Sequence, residues 1–130
     1  MNLIIAGSRN IDTLSKYWFR DTLLNFKIDC RKLADPIQIY EIISGGAKGV
    51  DSCGEKFASS YLIPKKIFPA NWKNHGKAAG PIRNKQMAEY ADALLLIWDG
   101  ESRGSASMKR EMEKLNKPVY EVILKTNKTG

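Results

Sequence analysis

The sequence predicts an α/β domain: a Rossmann-like, doubly wound and mainly parallel sheet of five strands with helices on both faces. Three observations carry that expectation. Five short apolar runs alternate along the chain with four stretches of helical periodicity. The fourth run, Ala93-Leu-Leu-Leu-Ile-Trp98, is apolar throughout, as suits a parallel strand covered on both faces. Glycine and small polar residues collect where strands give way to helices. Alternation of this kind implies right-handed crossovers, which place every strand-to-helix loop on one edge of the sheet, where ligands bind.

The strands are expected at Leu3–Ala6, Ile39–Ser44, Lys66–Phe68, Ala93–Trp98 and Val119–Leu124. A first helix should run from Thr13 to Phe26, capped by Asp12 or Thr13, with Leu14, Trp18, Leu23 and Phe26 on its apolar stripe. A second starts near Val50 and carries Val50, Cys53, Phe57 and Tyr61. The third starts near Ile82 and carries Ile82, Met87 and Tyr90. The fourth places Met108, Met112 and Leu115 at helical spacing and stops at Asn116-Lys117-Pro118. Trp18 and Trp98 are assigned to the core. Residues 1–124 read as one domain and 125–130 as a polar tail.

A chain of 130 residues can bury a core without disulfides or metal. No apolar run approaches the roughly 20 residues that span a bilayer, and Leu3–Ala6 is too short for an export signal. Cys30 and Cys53 form no CxxC pair and have no histidine at metal spacing. They read as reduced, structural thiols of a cytoplasmic protein, with no metal and no cofactor expected.

Charge is unevenly placed. The chain has 21 basic and 14 acidic residues, a formal net charge of +7. Between Glu55 and Glu89 there is no acidic residue, while Lys56, Lys65, Lys66, Lys73, Lys77, Arg83 and Lys85 fall inside. An excess confined to one segment points to an anion site more than to a generally sticky surface.

Four loops converge on the ligand edge: Gly7-Ser8-Arg9-Asn10, Ser44-Gly45-Gly46-Ala47-Lys48-Gly49, the basic segment ending in Gly80-Pro81-Ile82-Arg83-Asn84, and Asp99 to Ser105. A helix N-terminus presents unpaired N–H groups and partial positive charge, and glycine lets backbone approach a phosphate. In the second loop Gly45 and Gly46 would supply that access, Ser44 a hydroxyl and Lys48 a mobile cation. Asp51, one turn on, would cap N–H groups or meet a ribose. The pattern is neither the Gly-x-Gly-x-x-Gly dinucleotide fingerprint nor a P-loop, which disfavours ordinary NAD and P-loop chemistry.

At these residues the chain resembles a known family. Gly7-Ser8-Arg9, then Ser44-Gly-Gly-Ala-Lys-Gly-Val-Asp51, Pro69-Ala-Asn-Trp72, Gly76-Lys-Ala-Ala-Gly-Pro-Ile-Arg-Asn84, Tyr90-Ala-Asp-Ala93 and Ser102-x-Gly104-Ser105 follow in the order of the YspA-like branch of the SLOG superfamily. That Rossmann-like group also contains the Lonely-Guy phosphoribohydrolases and DNA-processing protein A. The resemblance extends from Leu3 to Leu115 and implies a nucleotide-related ligand. Superfamily members are commonly dimers, so by resemblance alone a homo-oligomer is also an option. Lonely-Guy enzymes place a catalytic glutamate three residues after the position of Ser105, and this chain has Met108 there. A thioether can neither stabilise an oxocarbenium-like state nor activate water, so that mechanism does not carry over by residue. Met108 fits core packing instead, with Asp51, Asp99, Glu101 and Glu111 as the carboxylates left to consider.

The leading expectation is therefore binding of a nucleotide or nucleotide-derived metabolite such as an ADP-ribose derivative. Backbone N–H groups of Gly45, Gly46 and Ala47 and those near Gly104 and Ser105 would hold phosphate, with Arg9 and Arg83 as a bidentate clamp. Asp51 or Asn84 would meet ribose hydroxyls. Trp72 reads either as a platform for a base or as a core residue. The alternative is a nucleotide-processing hydrolase in the same pocket, using Arg83 and one of Asp51, Glu101 or Glu111. Single-stranded nucleic-acid binding is a third reading, permitted by a sequence pI near 9.5 but weakened by the clustering of the cations.

Overall fold

A computed structural model of the chain describes residues 1–28 and 39–125; Cys30 and all of the polar tail beyond Lys125 lie outside the described residues. The elements follow in the order β1 (Asn2–Gly7), α1 (Lys16–Asn25), β2 (Glu41–Ser44), α2 (Val50–Ser60), β3 (Lys65–Ile67), α3 (Trp72–His75), a 3-10 turn (Gly76–Ala78), α4 (Ala79–Tyr90), β4 (Ala93–Trp98), α5 (Arg103–Lys114) and β5 (Val119–Ile123). The five strands pair in parallel in the order β3-β2-β1-β4-β5. This is the expected Rossmann-like α/β architecture. No helix among the described residues is long and apolar enough to cross a membrane.

The period-two alternation of β1 divides the interior into two cores. Leu3 and Ile5 face Phe19 and Leu23 of α1 and Val50, Cys53 and Phe57 of α2. Ile4 and Ala6 face Met87 and Ala88 of α4 and Met108 and Met112 of α5. All six residues of β4 are buried, because helices cover both of its faces. On the first face, the rings of Phe19 and Phe57 stack with centroids 5.2 Å apart, a contact that adds about 0.5–1.5 kcal/mol beyond its area burial.

Several boundaries and core assignments differ from expectation. The cap of α1 is Ser15, whose hydroxyl accepts the Trp18 N–H at 3.1 Å, and neither Asp12 nor Thr13 serves. The stripe turns with that start: Phe19 is fully buried, whereas Trp18 is only partly so and meets Phe19 edge-on. Helix α4 begins at Ala79, ahead of the expected Ile82, and Pro81 sits in its first turn, where a missing N–H costs nothing. Ile82 and Tyr90 are exposed, and so is Leu115, at 44%, because it follows the last turn of α5.

The basic segment does not gather at one point. Lys65 and Lys66 lie on the edge strand β3, all of whose residues are exposed, and charge on an edge discourages pairing with another chain. Lys65 donates to the Ser59 hydroxyl at 2.8 Å, and Lys66 lies 4.4 Å over the Tyr90 ring.

One lysine secures the end of a helix. Lys117 Nζ donates to the carbonyls of Ala88, Glu89 and Ala91 at 2.8, 3.2 and 2.7 Å, covering the negative end of α4. Lys117→Met keeps the aliphatic stem and removes all three charge-assisted bonds. It should lower stability by about 1–3 kcal/mol in urea unfolding. Lys114→Met, which loses only an exposed pair with Glu111, should cost under about 0.5 kcal/mol. Equal effects of the two variants would remove the capping role.

Candidate functional site

Strands β1 and β4 are neighbours, yet the chain leaves β1 toward α1 on one face and leaves β4 toward α5 on the other. Loops diverging in this way open a crevice at the carboxyl ends of the strands. A cleft of about 420 Å³ lies there. Ala6, Met87 and Met108 form its apolar floor, and polar groups from β1, the Gly45 loop, α4 and the start of α5 form its walls.

Asp99 and Ser102 build the α5 side. Asp99 Oδ1 accepts the N–H groups of Glu101 and Ser102 at 2.9 and 3.0 Å, and the Ser102 hydroxyl caps the Ser105 N–H at 3.4 Å. These backbone bonds, that from Glu101 foremost, hold the Asp99 carboxyl below the usual range. Gly104 and Ser105 then face the cleft from the first turn of α5. The Ser105 hydroxyl is buried and has no hydrogen-bond partner among the described residues. A buried hydroxyl left unpaired is costly, so its place in a cleft wall is informative.

Arg83 is half-buried and held from three directions. Its Nη1 donates to the carbonyls of Gly45 (2.6 Å) and Phe68 (3.4 Å), and its Nε donates to Asn84 Oδ1 at 3.1 Å. Among the described residues Nη2 has no hydrogen-bond partner. Gly45 is required for this geometry: a Cβ there would lie 2.5 Å from Arg83 Nη1 and 3.0 Å from Asp51 Oδ2. Asn84, buried, donates through Nδ2 to the Gly104 carbonyl and the Ser107 hydroxyl at 3.4 and 3.3 Å. It thereby ties α4 to α5 and aims Arg83.

Asp51 is 5% exposed. Burial pushes its carboxyl up from the ordinary aspartate range, against the hydrogen bond from Ala47 and the charge of Arg83. Burial likewise lowers Arg83, opposed by Asp51 and assisted by Arg9. Guanidinium does not deprotonate in proteins, so Asp51 is the member of the pair whose titration burial moves toward the neutral form.

The sequence-predicted residues are largely brought together, with reassigned parts. Gly7, Ser8, Arg9, Gly45, Ala47, Asp51, Arg83, Asn84, Gly104 and Ser105 line the cleft. Gly46, Lys48 and Trp72 line a second cavity of about 490 Å³, which shares Arg9, Gly45, Ala47 and Arg83 with the first. Trp72 is 53% exposed, which removes it from the core. Ser44 lines neither cavity: its hydroxyl donates to Glu55 at 2.7 Å and accepts from the Gly46 N–H at 3.1 Å. The Ala47 N–H goes to Asp51 at 3.3 Å, and the Val50 N–H to the Ser8 carbonyl at 3.2 Å. The phosphate cradle expected of Gly46 and Ala47 is therefore spent inside the loop. Of the seven cations in the basic segment, Arg83 alone lines either cavity. Glu101 and Glu111 lie outside both, and Glu111 pairs with Lys114. Ser102 lies on the cleft with the rest of the expected Asp99-to-Ser105 loop, although sequence reasoning gave it no role, and Met87 it did not assign to the site; Asp99-Gly100-Glu101-Ser102 is a legible turn-and-cap pattern.

No family model matches the chain, and no solved structure matches it. Among curated proteins, the Gene 61 protein of Mycobacterium phage D29 is 32% identical over 84 residues, covering 60% of this chain and 67% of that protein. At that identity and coverage, this chain belongs to the same family as the Gene 61 protein of phage D29.

Proposed function

We propose that the protein binds a nucleotide or nucleotide-derived metabolite, such as one of the ADP-ribose type, in the cleft between β1 and β4. The observation that carries this reading is a pair of unspent donors on one cleft: Arg83 Nη2 and the buried Ser105 hydroxyl at the start of α5. A guanidinium fixed by its other nitrogens takes a phosphate with little loss of side-chain entropy, and a helix N-terminus favours the same charge. Membership of the YspA-like branch of the SLOG superfamily, a cytoplasmic setting and self-association belong to this proposal by resemblance.

A hydrolytic second reading rests on Asp51, a buried carboxyl on the same cleft whose proton affinity is raised. It would act as the proton donor to a leaving group. Met108 and Met87 on the floor offer no carboxylate at that depth, which favours binding without turnover.

Thermal-shift screening of nucleoside mono- and diphosphates and ADP-ribose tests the first reading. A ligand at a hundred times its Kd should stabilise the fold by about 2.7 kcal/mol. Arg83→Ala should weaken that ligand by about 2 kcal/mol or more, and Arg83→Lys should recover only part. Affinity unchanged in both variants would exclude Arg83 from the site. For the second reading, released base or sugar phosphate is measured by chromatography. Turnover that survives Asp51→Asn would exclude Asp51 as the acid.

Asp51 also predicts a pH dependence. Its folded pKa is raised, so its contribution to stability is fully present below the ordinary aspartate range and is lost as pH rises through the raised value. The melting temperature of Asp51→Asn relative to wild type should therefore increase from acid toward neutral pH. A constant difference would show that the buried carboxyl carries no ionisation penalty.

A further inference from the structure

The two cavities share a wall and present different side chains. The first presents hydrogen-bonding groups above its apolar floor: the carboxyl groups of Asp51 and Asp99, the Asn84 amide and the Ser105 hydroxyl. The second presents Ile67, Pro69, Ala70 and the exposed ring of Trp72 on one side and the Gly45–Lys48 loop, with the Lys48 cation, on the other. Two cations, Arg9 and Arg83, stand on the boundary and line both. Each chamber, at about 420 and 490 Å³, falls in the range of small-ligand pockets, roughly 300–1,000 Å³.

A single phosphate on a nucleoside would use the boundary and one chamber only. We infer that the ligand is bipartite: a planar base stacked on Trp72, phosphates crossing the Arg9–Arg83 boundary, and a second, hydroxyl-bearing group in the first chamber. This inference rests on the nucleotide-binding reading and narrows it to nucleoside diphosphates that carry a further sugar-like group. The charge distribution sets the direction. Anionic oxygens belong beside the two arginines, whereas the Asp99 carboxylate accepts from sugar hydroxyls and repels a terminal phosphate, and the Asn84 amide and Ser105 hydroxyl pair with hydroxyls. Trp72 has no aromatic partner among the described ring pairs, and Gly80 behind it leaves the ring 3.5 Å from the position of an absent Cβ. An exposed indole that lines one cavity with two guanidinium groups suits base stacking.

The experiment is calorimetric titration of the full chain with three probes: ADP-ribose, AMP and ribose 5-phosphate. ADP-ribose should bind at least about tenfold more tightly than either smaller probe, because it alone fills both chambers. Trp72→Ala should weaken ADP-ribose about tenfold or more, leave ribose 5-phosphate unchanged, and be largely rescued by Trp72→Phe. Tryptophan emission should be quenched by the two adenine-bearing probes in wild type and not in Trp72→Phe. If AMP matches ADP-ribose and Trp72→Ala is harmless, the bipartite ligand is wrong while nucleotide binding stands. If none of the three probes binds, the nucleotide reading fails and this inference with it.

Discussion

Ser8 joins the three elements that meet at the mouth of the sheet. Its N–H donates to the Ile97 carbonyl of β4 at 3.1 Å, its carbonyl accepts the Val50 N–H that opens α2 at 3.2 Å, and its hydroxyl accepts the Asp99 N–H at 3.1 Å. Gly7 beside it has no room for a side chain, since a Cβ would lie 1.7 Å from the Ile97 carbonyl oxygen. The carbonyl of Ser8 thus takes the first N–H of α2, while the start of α5 keeps an unpaired buried hydroxyl at Ser105.

Arg83 shows how a charge can be buried without a partner ion. No carboxylate lies within ion-pair distance of it among the described residues; two carbonyls and an amide oxygen hold its Nη1 and Nε instead. Neutral acceptors fix the guanidinium without neutralising it, so its charge stays available to a ligand. Asp51 is close enough to be felt electrostatically and buried enough to favour its proton.

The fold was legible because its signals are local and repeated. The run from Ala93 to Trp98 and the alternation of elements predict the parallel sheet, and β4 is found at those residues. The site was legible as a neighbourhood, because the edge rule brings the loops together whatever their internal bonds. Arg83 and Ser105 were named from the sequence, but which of the loop's other donors stay free was not legible. Which N–H groups of Ser44–Lys48 remain free depends on Asp51 and Ser44 folding back onto the loop, and Arg83 depends on a carbonyl of Phe68 fifteen residues away. Charge counting misled for a similar reason: Lys65 and Lys66 guard an edge strand, a role visible only once β3 is known to lie outermost.

The placement of β4 has a consequence for the order in which the chain can become complete. Asn2 bonds to Asp92 across 90 positions, and β1 finds its central neighbour only after most of the chain exists. An emerging chain can lay β2 and β3 beside β1, but its other edge stays open through a long loop closure. During that interval Arg83 and Asp51 are already synthesised, while the wall made by Asp99, Gly104 and Ser105 is not. The cleft is thus a seam between early and late halves of the protein, and no fragment that stops short of β4 can contain it.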